Sequence, residues 1–385
     1  MSPAIKWHMI TGEYPPQPGG VSDYSRVIAR GLAAAGDTVH IYAPQYRNSD
    51  PDDAGVTIHR LPGHFGPRAL AQLSRLLGRD TTDRLLIQYV PHAFGFKAMN
   101  LPFCLWLYAH TRKYGGAAVT FHEVNLGFQT GDPLRYRFLD AVTKVMARLV
   151  ARSAAQIFVA TPQWKSLLRR YLAPDRKIAW LPVPNNIPVV DDPVRIAAIR
   201  RRYVSACGPV IGHFGTYAPA IAAMLRNILP RVLADHPCST MLLLGANSDA
   251  FRESLVNEFP ELTPRLIATG ALPADELSMA IAACDLMAQP YPDGVTSRRT
   301  SMMAALEHAR AIVTTIGSFT EPLWAQSGAV ALVPAGNSES FAEALTELLR
   351  DGNRRMHYAA AAKTLYADRF DVRHTVDALR ASACV

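Results

Sequence analysis

The chain has 385 residues, is 49% hydrophobic and 19% charged, and carries a formal charge of +8. These values exclude a disordered chain, exceed what one hydrophobic core usually serves, and imply attraction to something acidic. Its five cysteines, Cys104, Cys207, Cys238, Cys284 and Cys384, are odd in number and never fall at metal-ligand spacing, which argues for a reducing compartment rather than a disulfide scaffold or zinc module. Neither a leader with a charged and then an apolar stretch nor an apolar run of about 18 residues is present, so the expected location is cytoplasmic, without a membrane span.

In chain order, β-rich runs are expected at Ala4–Ile10, Thr38–Ala43, Val56–Leu61, Arg84–Val90, Ala117–His122, Ala155–Ala160 and Lys177–Leu181, most of them separated by helical patterns. That alternation predicts a parallel sheet wrapped by helices. After the first run comes a proline-stiffened loop, then Gly19 and Gly20, then a helix whose N-cap is expected at Ser22. Two residues without side chains ahead of a helix N-terminus let an anion approach unpaired N–H groups; the plainer reading is a tight turn that needs a positive φ. Asp50, Asp52 and Asp53 form the one dense carboxylate run and read as a solvated turn. Basic residues gather in Thr143–Arg152, Lys165–Leu172 and Arg195–Val204. At helical spacing these are amphipathic helices with cationic outer faces, either solvated or in contact with anionic lipid or an anionic acceptor. Nucleic acid is not expected, because no binding motif or basic tail accompanies the charge.

The stretch Leu181–Val194 is rich in proline and asparagine, has no periodicity, and marks a linker. A second series of strands is expected at Pro209–Gly215, Ser239–Gly245, Arg265–Gly270, Asp285–Tyr291, Ala311–Thr315 and Ala329–Pro334, with closing helices at Glu339–Arg350, Arg354–Asp368 and Val372–Ala383. The predicted fold class is α/β, with two Rossmann-like doubly wound domains facing each other across a cleft. Ligands in such sheets bind at the carboxyl ends of the strands.

Several pieces, in their order and spacing, resemble the family-4 retaining glycosyltransferases of the GT-B fold over nearly the whole chain. They are the Gly19-Gly20-Val21 loop opening a helix, Phe121-His122-Glu123 after a strand, the strand and glycine loop Leu242–Asp249, the segment Ala268–Pro290, the block Ala288–Thr315 and the glycine-and-glutamate loop Thr314–Trp324. The resemblance implies transfer of a sugar from a nucleoside-diphosphate sugar to a saccharide or lipid-linked acceptor, with retention of configuration. It implies no cofactor and no metal, since basic side chains and helix N-termini neutralise the leaving diphosphate. It also implies an acceptor-side domain at residues 1–184, a linker at 185–195, a nucleotide-sugar domain at 196–365, and a C-terminal helix at 366–385 packing back on the first domain. The acceptor would then belong to polysaccharide or glycolipid assembly, with peripheral contact at an inner membrane surface if the basic helices touch lipid.

Two departures from the family pattern stand out. Aligning Ala311-Ile312-Val313 with the usual strand puts Thr296 and Ala304 where the family carries two glutamates. In their place Thr296, Ser297, Arg298, Arg299 and Thr300 form a polar, doubly cationic turn ahead of a helix, suited to a diphosphate by charge complementarity; a helix cap with exposed arginines is the other reading. The loop Gly212–Pro219, where the family places cations, has none, so Arg298 and Arg299 are expected to replace them, with Gly215 beside the donor. Glu307 lies three residues beyond Ala304 and is matched to a ribose role, or else is a surface glutamate. By the resemblance His122 sits beside the reacting sugar, Glu123 holds its imidazole or anchors the next helix, and Glu321 meets donor-sugar hydroxyls or caps a helix. Tyr89, His92 and Phe94 follow a strand and either offer an aromatic acceptor wall or are core.

A non-catalytic nucleotide-sugar-binding or assembly protein of the same fold is the alternative, motivated by the two missing glutamates. An epimerase fits the motifs less well. A dehydrogenase fits least, because no Gly-x-Gly-x-x-Gly follows either first strand.

Overall fold

The structure, a computed structural model, describes residues 3–47, 49–77, 83–95, 99–127, 133–204 and 208–381. Cys207, Cys384 and the last residues of the expected closing helix lie outside them. Cys104, Cys238 and Cys284 are free thiols. The chain divides into two compact units, Met1–Pro184 with Val372–Val385, and Asn185–Asp371. Most of the expected linker, from Asn185 on, therefore belongs to the second unit.

The first unit is a seven-stranded parallel sheet of β1 (Lys6–Thr11), β2 (Thr38–Pro44), β3 (Val56–Leu61), β4 (Arg84–Tyr89), β5 (Ala117–Phe121), β6 (Ala154–Val159) and β7 (Ile178–Trp180), in the order β3-β2-β1-β4-β5-β6-β7. The second is a six-stranded parallel sheet of β8 (Val210–Phe214), β9 (Thr240–Leu244), β10 (Leu266–Ala268), β11 (Leu286–Gln289), β12 (Ala311–Ile316) and β13 (Ala331–Pro334), in the order β10-β9-β8-β11-β12-β13. Strand direction of travel reverses between β1 and β4 and between β8 and β11, the switch points where doubly wound sheets hold ligands. Every strand expected from the sequence is present, because parallel strands covered on both faces read as continuous apolar runs. β5 and β9 are buried along their full length.

Helices of the first unit are α1 (Gly20–Ala34), α2 (Pro67–Leu76), α3 (Leu101–Tyr114), α4 (Leu134–Ser153) and α5 (Trp164–Arg169). Those of the second are α6 (Pro193–Tyr203), α7 (Pro219–Asp235), α8 (Ser248–Glu258), α9 (Ala274–Ala282), α10 (Thr300–Glu307), α11 (Pro322–Ser327), α12 (Ser338–Arg350) and α13 (Gly352–Arg369), after which α14 (Val372–Ala381) returns to the first. On one face of the first sheet α2 to α5 enclose Phe65, Phe94, Phe103, Phe121 and Met146. On the other, α1 and α14 enclose Trp7, Tyr24, Ile28, Leu32, Val376 and Leu379. Gly31 makes that second layer possible: a Cβ there would lie 2.8 Å from Val376 and 3.1 Å from Val372. Arg380 adds an ion pair to the buried Asp37 at 3.0 Å.

The carboxylate run departs from the expected solvated turn. Asp53 is buried and receives Arg26 through Nε at 2.7 Å and Nη2 at 2.9 Å, while Asp50 pairs with Arg60 at 2.6 Å.

Candidate active site

At the carboxyl edge of the first sheet, α1 begins three residues earlier than expected, with Gly19 rather than Ser22 as its N-cap. The backbone N–H groups of Val21 and Ser22 donate to Glu13 Oε1 at 3.0 and 3.1 Å. Gly19 lies so close to that carboxylate that a Cβ would overlap it. The Ser22 hydroxyl instead donates to the carbonyl of Gln17 at 2.6 Å. Burial raises the Glu13 carboxyl above its ordinary range, with the two amide bonds pulling against the rise. The anion at this helix N-terminus is thus the protein's own side chain. The diphosphate expected on Gly19 and Gly20 meets an occupied place.

Two strands away in the sheet, beyond β4, His122 follows β5 and is 8% exposed. Its Nε2 lies 2.9 Å from Gln88 Oε1, an oxygen that only accepts, so Nε2 carries the proton. The Tyr24 ring meets the imidazole edge-on at 4.6 Å between centroids, and the His122 carbonyl accepts the Trp164 indole N–H at 2.8 Å. Gln88 Nε2 and Tyr24 Oη are buried polar atoms without a hydrogen-bond partner. Glu123 does not hold this imidazole, correcting one of its two expected roles: its carboxylate lies 3.8 Å from the exposed His92. Tyr89 and Phe94 are also corrected. Both are fully buried in the core, Tyr89 stacked on Phe94 at 6.2 Å and against Phe121 at 5.2 Å, so neither presents a wall to a ligand from solvent; of the three expected acceptor residues only His92 is at the surface.

In the second unit the loops after β11 and β12 interlock backbone to backbone. Gly294, at φ +85°, would drive a Cβ into Thr320 and Gly317; Val295 N donates to Thr315 O at 2.7 Å and Phe319 N to Asp293 O at 3.1 Å. Glu321, 4% exposed, clamps the polar turn. It accepts from Ser297 N at 3.2 and 3.1 Å, from Ser297 Oγ at 2.7 Å, and from the Trp324 indole at 2.9 Å. It is a loop clamp rather than the side-chain cap that its place before α11 suggested. Arg299 is the N-cap of α10, which has no side-chain cap and no acidic residue in its first turn. Its guanidinium lies 4.8 Å from the centre of the Tyr291 ring, a ring whose hydroxyl meets Ser301 Oγ at 3.0 Å. Arg298 is exposed and Thr300 half-buried.

The turn stands beside the loop after β8. There Gly215 N donates to Leu244 O at 3.2 Å, and Gly245, at φ +104°, packs its Cα against the Gly215 carbonyl. His213 donates from Nδ1 to Ala288 O at 2.7 Å, which leaves Nε2 as an acceptor; a Cβ on Gly215 would stand 3.0 Å from that atom. Burial pushes this imidazole down to about 4, so it is neutral. Gln289 is fully buried and donates from Nε2 to Phe214 O at 3.3 Å. His213 Nε2, Gln289 Oε1, Thr296 Oγ1 and Arg299 Nε are all buried without a partner.

Glu307 is set apart from this group. It ends α10, the helix whose start carries Thr300, and its half-buried carboxylate accepts from Asn185 at 2.6 Å and is hydrogen-bonded to Tyr366. Burial raises its carboxyl. The ribose role expected of it draws no support from this placement. Among the described residues no three His, Cys, Asp or Glu side chains stand together as a metal site.

The family model described as "Glycosyl transferase 4-like domain" matches residues 19–184, and that described as "Glycosyl transferases group 1" matches residues 208–351. Both halves of the chain are glycosyltransferase domains. No curated protein matches the sequence. Among solved structures, a glycosyltransferase from Rickettsia africae is 13% identical with a TM-score of 0.69, and 98% of each chain is covered. Sucrose-phosphate synthase from Thermosynechococcus elongatus is 15% identical, 98% of each chain covered, with a TM-score of 0.67. Anabaena HepE, solved in complex with UDP, is 16% identical, 98% of each chain covered, with a TM-score of 0.66. At these identities the likeness is one of fold: two Rossmann-like domains of the GT-B kind.

Sequence reasoning missed Gln88, His213 and Gln289 within these glycosyltransferase domains, and Glu13 just ahead of the first. A signal was present for the glutamines, each an uncharged amide at or next to the carboxyl end of a parallel strand, where a polar residue has to be explained. Glu13 gave none, since only the folded loop brings it back to α1.

Proposed function

We propose that the protein transfers a sugar from a nucleoside-diphosphate sugar to a saccharide or lipid-linked acceptor with retention of configuration, holding the donor on the second unit. One observation supports this most strongly: four buried polar atoms without partners, two acceptors (His213 Nε2, Gln289 Oε1), the Thr296 hydroxyl and the Arg299 Nε–H, belong to the ends of the adjoining strands β8 and β11 and to the loop after β11. Folded proteins rarely leave such groups unsatisfied. A nucleoside-diphosphate sugar offers what they lack, hydroxyl donors for the nitrogen and the amide oxygen, and phosphate oxygens for the hydroxyl and guanidinium. In the proposed reaction the bond from the anomeric carbon to phosphate oxygen breaks while the acceptor hydroxyl bonds on the same face, and its proton passes to the leaving phosphate. Arg298, Arg299 and the uncapped start of α10 meet the charge that develops there, so that no divalent ion is required. His122 is the group of the first unit proposed to donate to a sugar hydroxyl, exchanging its bond to Gln88.

Replacement of the family's two glutamates by Thr296 and Ala304 favours a second reading, a binding protein of the same fold without turnover. Thermal-shift screening with nucleoside diphosphates and then their sugars identifies the donor. Release of free sugar from that donor in EDTA supports the enzyme, and NMR of the transfer product reads the anomeric configuration. Tight donor binding with no release or transfer would leave the binding protein.

A further inference from the structure

The three basic helical runs differ in what their charges do. On α6 three of the four arginines are paired within the second unit: Arg195 with Asp275 at 3.3 Å, Arg200 with Asp285 at 2.9 Å and Arg202 with Glu276 at 3.7 Å. On α5, Arg169 donates to the carbonyls of Pro174 and Arg176. On α4 Asp140 is the sole acid, nearly buried and taken up by Lys144 at 2.6 Å.

The outward face of α4 is an exposed stripe at helical spacing, Phe138, Ala141, Val145, Arg148 and Arg152. The neighbouring α3, which packs against α4, repeats it with Pro102, Leu105, Ala109 and Arg112. The α3 stripe starts apolar and ends cationic, whereas on α4 the exposed Arg135 and Arg137 flank Tyr136 and Phe138, so cations stand at both ends of its apolar stretch. Large apolar side chains are left in water here: Phe138 is 65% exposed, Leu105 55%, Val145 49% and Tyr136 42%. Neither α3 nor α4 exposes an acidic side chain. Both helices start at the carboxyl edge of a parallel sheet and run back along it, so Leu105 and Phe138 lie toward that edge, and Arg112, Arg148 and Arg152 lie together behind them.

We infer that the outer face of α3 and α4 docks on an anionic lipid bilayer, with Phe138, Val145 and Leu105 entering the acyl boundary and Arg148, Arg152 and Arg112 lying on the phosphates. An amphipathic surface with exposed aromatic and aliphatic side chains and a one-sign cationic field is what binds an interface in this way. The same edge carries His122, so docking brings a lipid-linked acceptor to the end of the sheet where ligands bind. The inference stands on this surface alone and holds whether or not the donor assignment does.

The test is co-sedimentation of the whole protein with vesicles of phosphatidylcholine alone or with about 30% phosphatidylglycerol, an anionic surface that attracts each nearby cation. Binding is expected only to the anionic vesicles and weakens with salt. Phe138→Ser with Val145→Ser, and separately Leu105→Ser, reduce it about tenfold or more. Arg148→Glu with Arg152→Glu abolishes it, whereas Arg201→Glu on α6 leaves it unchanged. All these side chains are exposed, so thermal midpoints and nucleoside-diphosphate affinity stay at wild-type values, which separates this surface from the donor site. Equal binding to neutral vesicles, wild-type binding by the serine variants, or concentration-dependent self-association through this face without vesicle binding would each overturn the inference.

Discussion

The carboxyl edges of the two sheets are built alike and finished differently. Each has a glycine-bearing loop at the switch point, a buried glutamine near the end of the fourth strand of its sheet, and a carboxylate that holds the loop in place. In the first unit that carboxylate, Glu13, sits on the N-terminus of α1 itself, bonded to Val21 and Ser22. In the second, Glu321 is spent on Ser297 and Trp324, and the start of α10 keeps two arginines and no acid. A helix N-terminus favours whatever negative charge reaches it. The first edge is already met by an internal anion; at the second, the first turn of α10 carries no acidic residue, and it is there that the donor is proposed to bind.

The largest effect expected from that difference follows loss of the cations. Charge-assisted hydrogen bonds contribute about 1.5–3 kcal/mol each, so Arg298→Ala with Arg299→Ala lowers nucleoside-diphosphate affinity by roughly two to four orders of magnitude in calorimetry. Neutral substitutions of Gly20 on the first edge leave it within a few fold. Comparable effects at both edges would erase the distinction.

His213 sharpens the contrast through pH. Its folded pKa, about 4, lies below its unfolded value, so the unfolded chain takes up the proton first. Stability is therefore full above the unfolded value and is lost as pH falls toward about 4. The loss amounts to roughly 3 kcal/mol at most. His213→Asn, which keeps a donor for the Ala288 carbonyl, flattens this part of the pH profile in urea unfolding.

At Glu13 the sign is opposite. Its folded pKa is raised, so stability from this group is greatest in acid, below its unfolded value, and declines as pH rises through the folded one. Glu13→Gln, set against wild type, consequently improves with rising pH. Glu13→Ala removes the acceptor and costs about 1–2 kcal/mol, as loss of an N-terminal cap does. Oxyanion affinity at the first edge should rise in the alanine variant if the place is kept empty only by the side chain that fills it.

The smallest effect concerns how the two helices end. α1 is followed by Gly36 at φ +91°, whereas α10 is followed by Ala309 at φ +51°, where an alanine is strained. Ala309→Gly is expected to raise stability by about 0.5–1 kcal/mol, and an unchanged or lower midpoint would show that the surrounding chain already absorbs the strain.

The sheets were readable in the sequence because burial on both faces writes β4, β5 and β9 as apolar runs. The turn Thr296–Thr300 was readable as a turn because a polar stretch precedes an apolar helical pattern; the anion expected there belongs to the proposal. What escaped depended on side chains meeting across the fold. Gly19 and Gly20 looked like an open cradle because nothing local shows Glu13 turning back onto α1. Tyr89 and Phe94 looked like a surface because an aromatic after a strand reads the same whether a helix layer covers it or not. Glu307 looked close to the donor turn because helical spacing gives its face but not its partners, Asn185 and Tyr366.

A crystal structure of the protein with a bound nucleoside diphosphate decides between the two edges. The expected result is a diphosphate against Arg298, Arg299 and the start of α10, with Glu13 still bonded to Val21 and Ser22. A diphosphate on those two amides with Glu13 displaced, or one held by a coordinated metal ion away from the arginines, would contradict it.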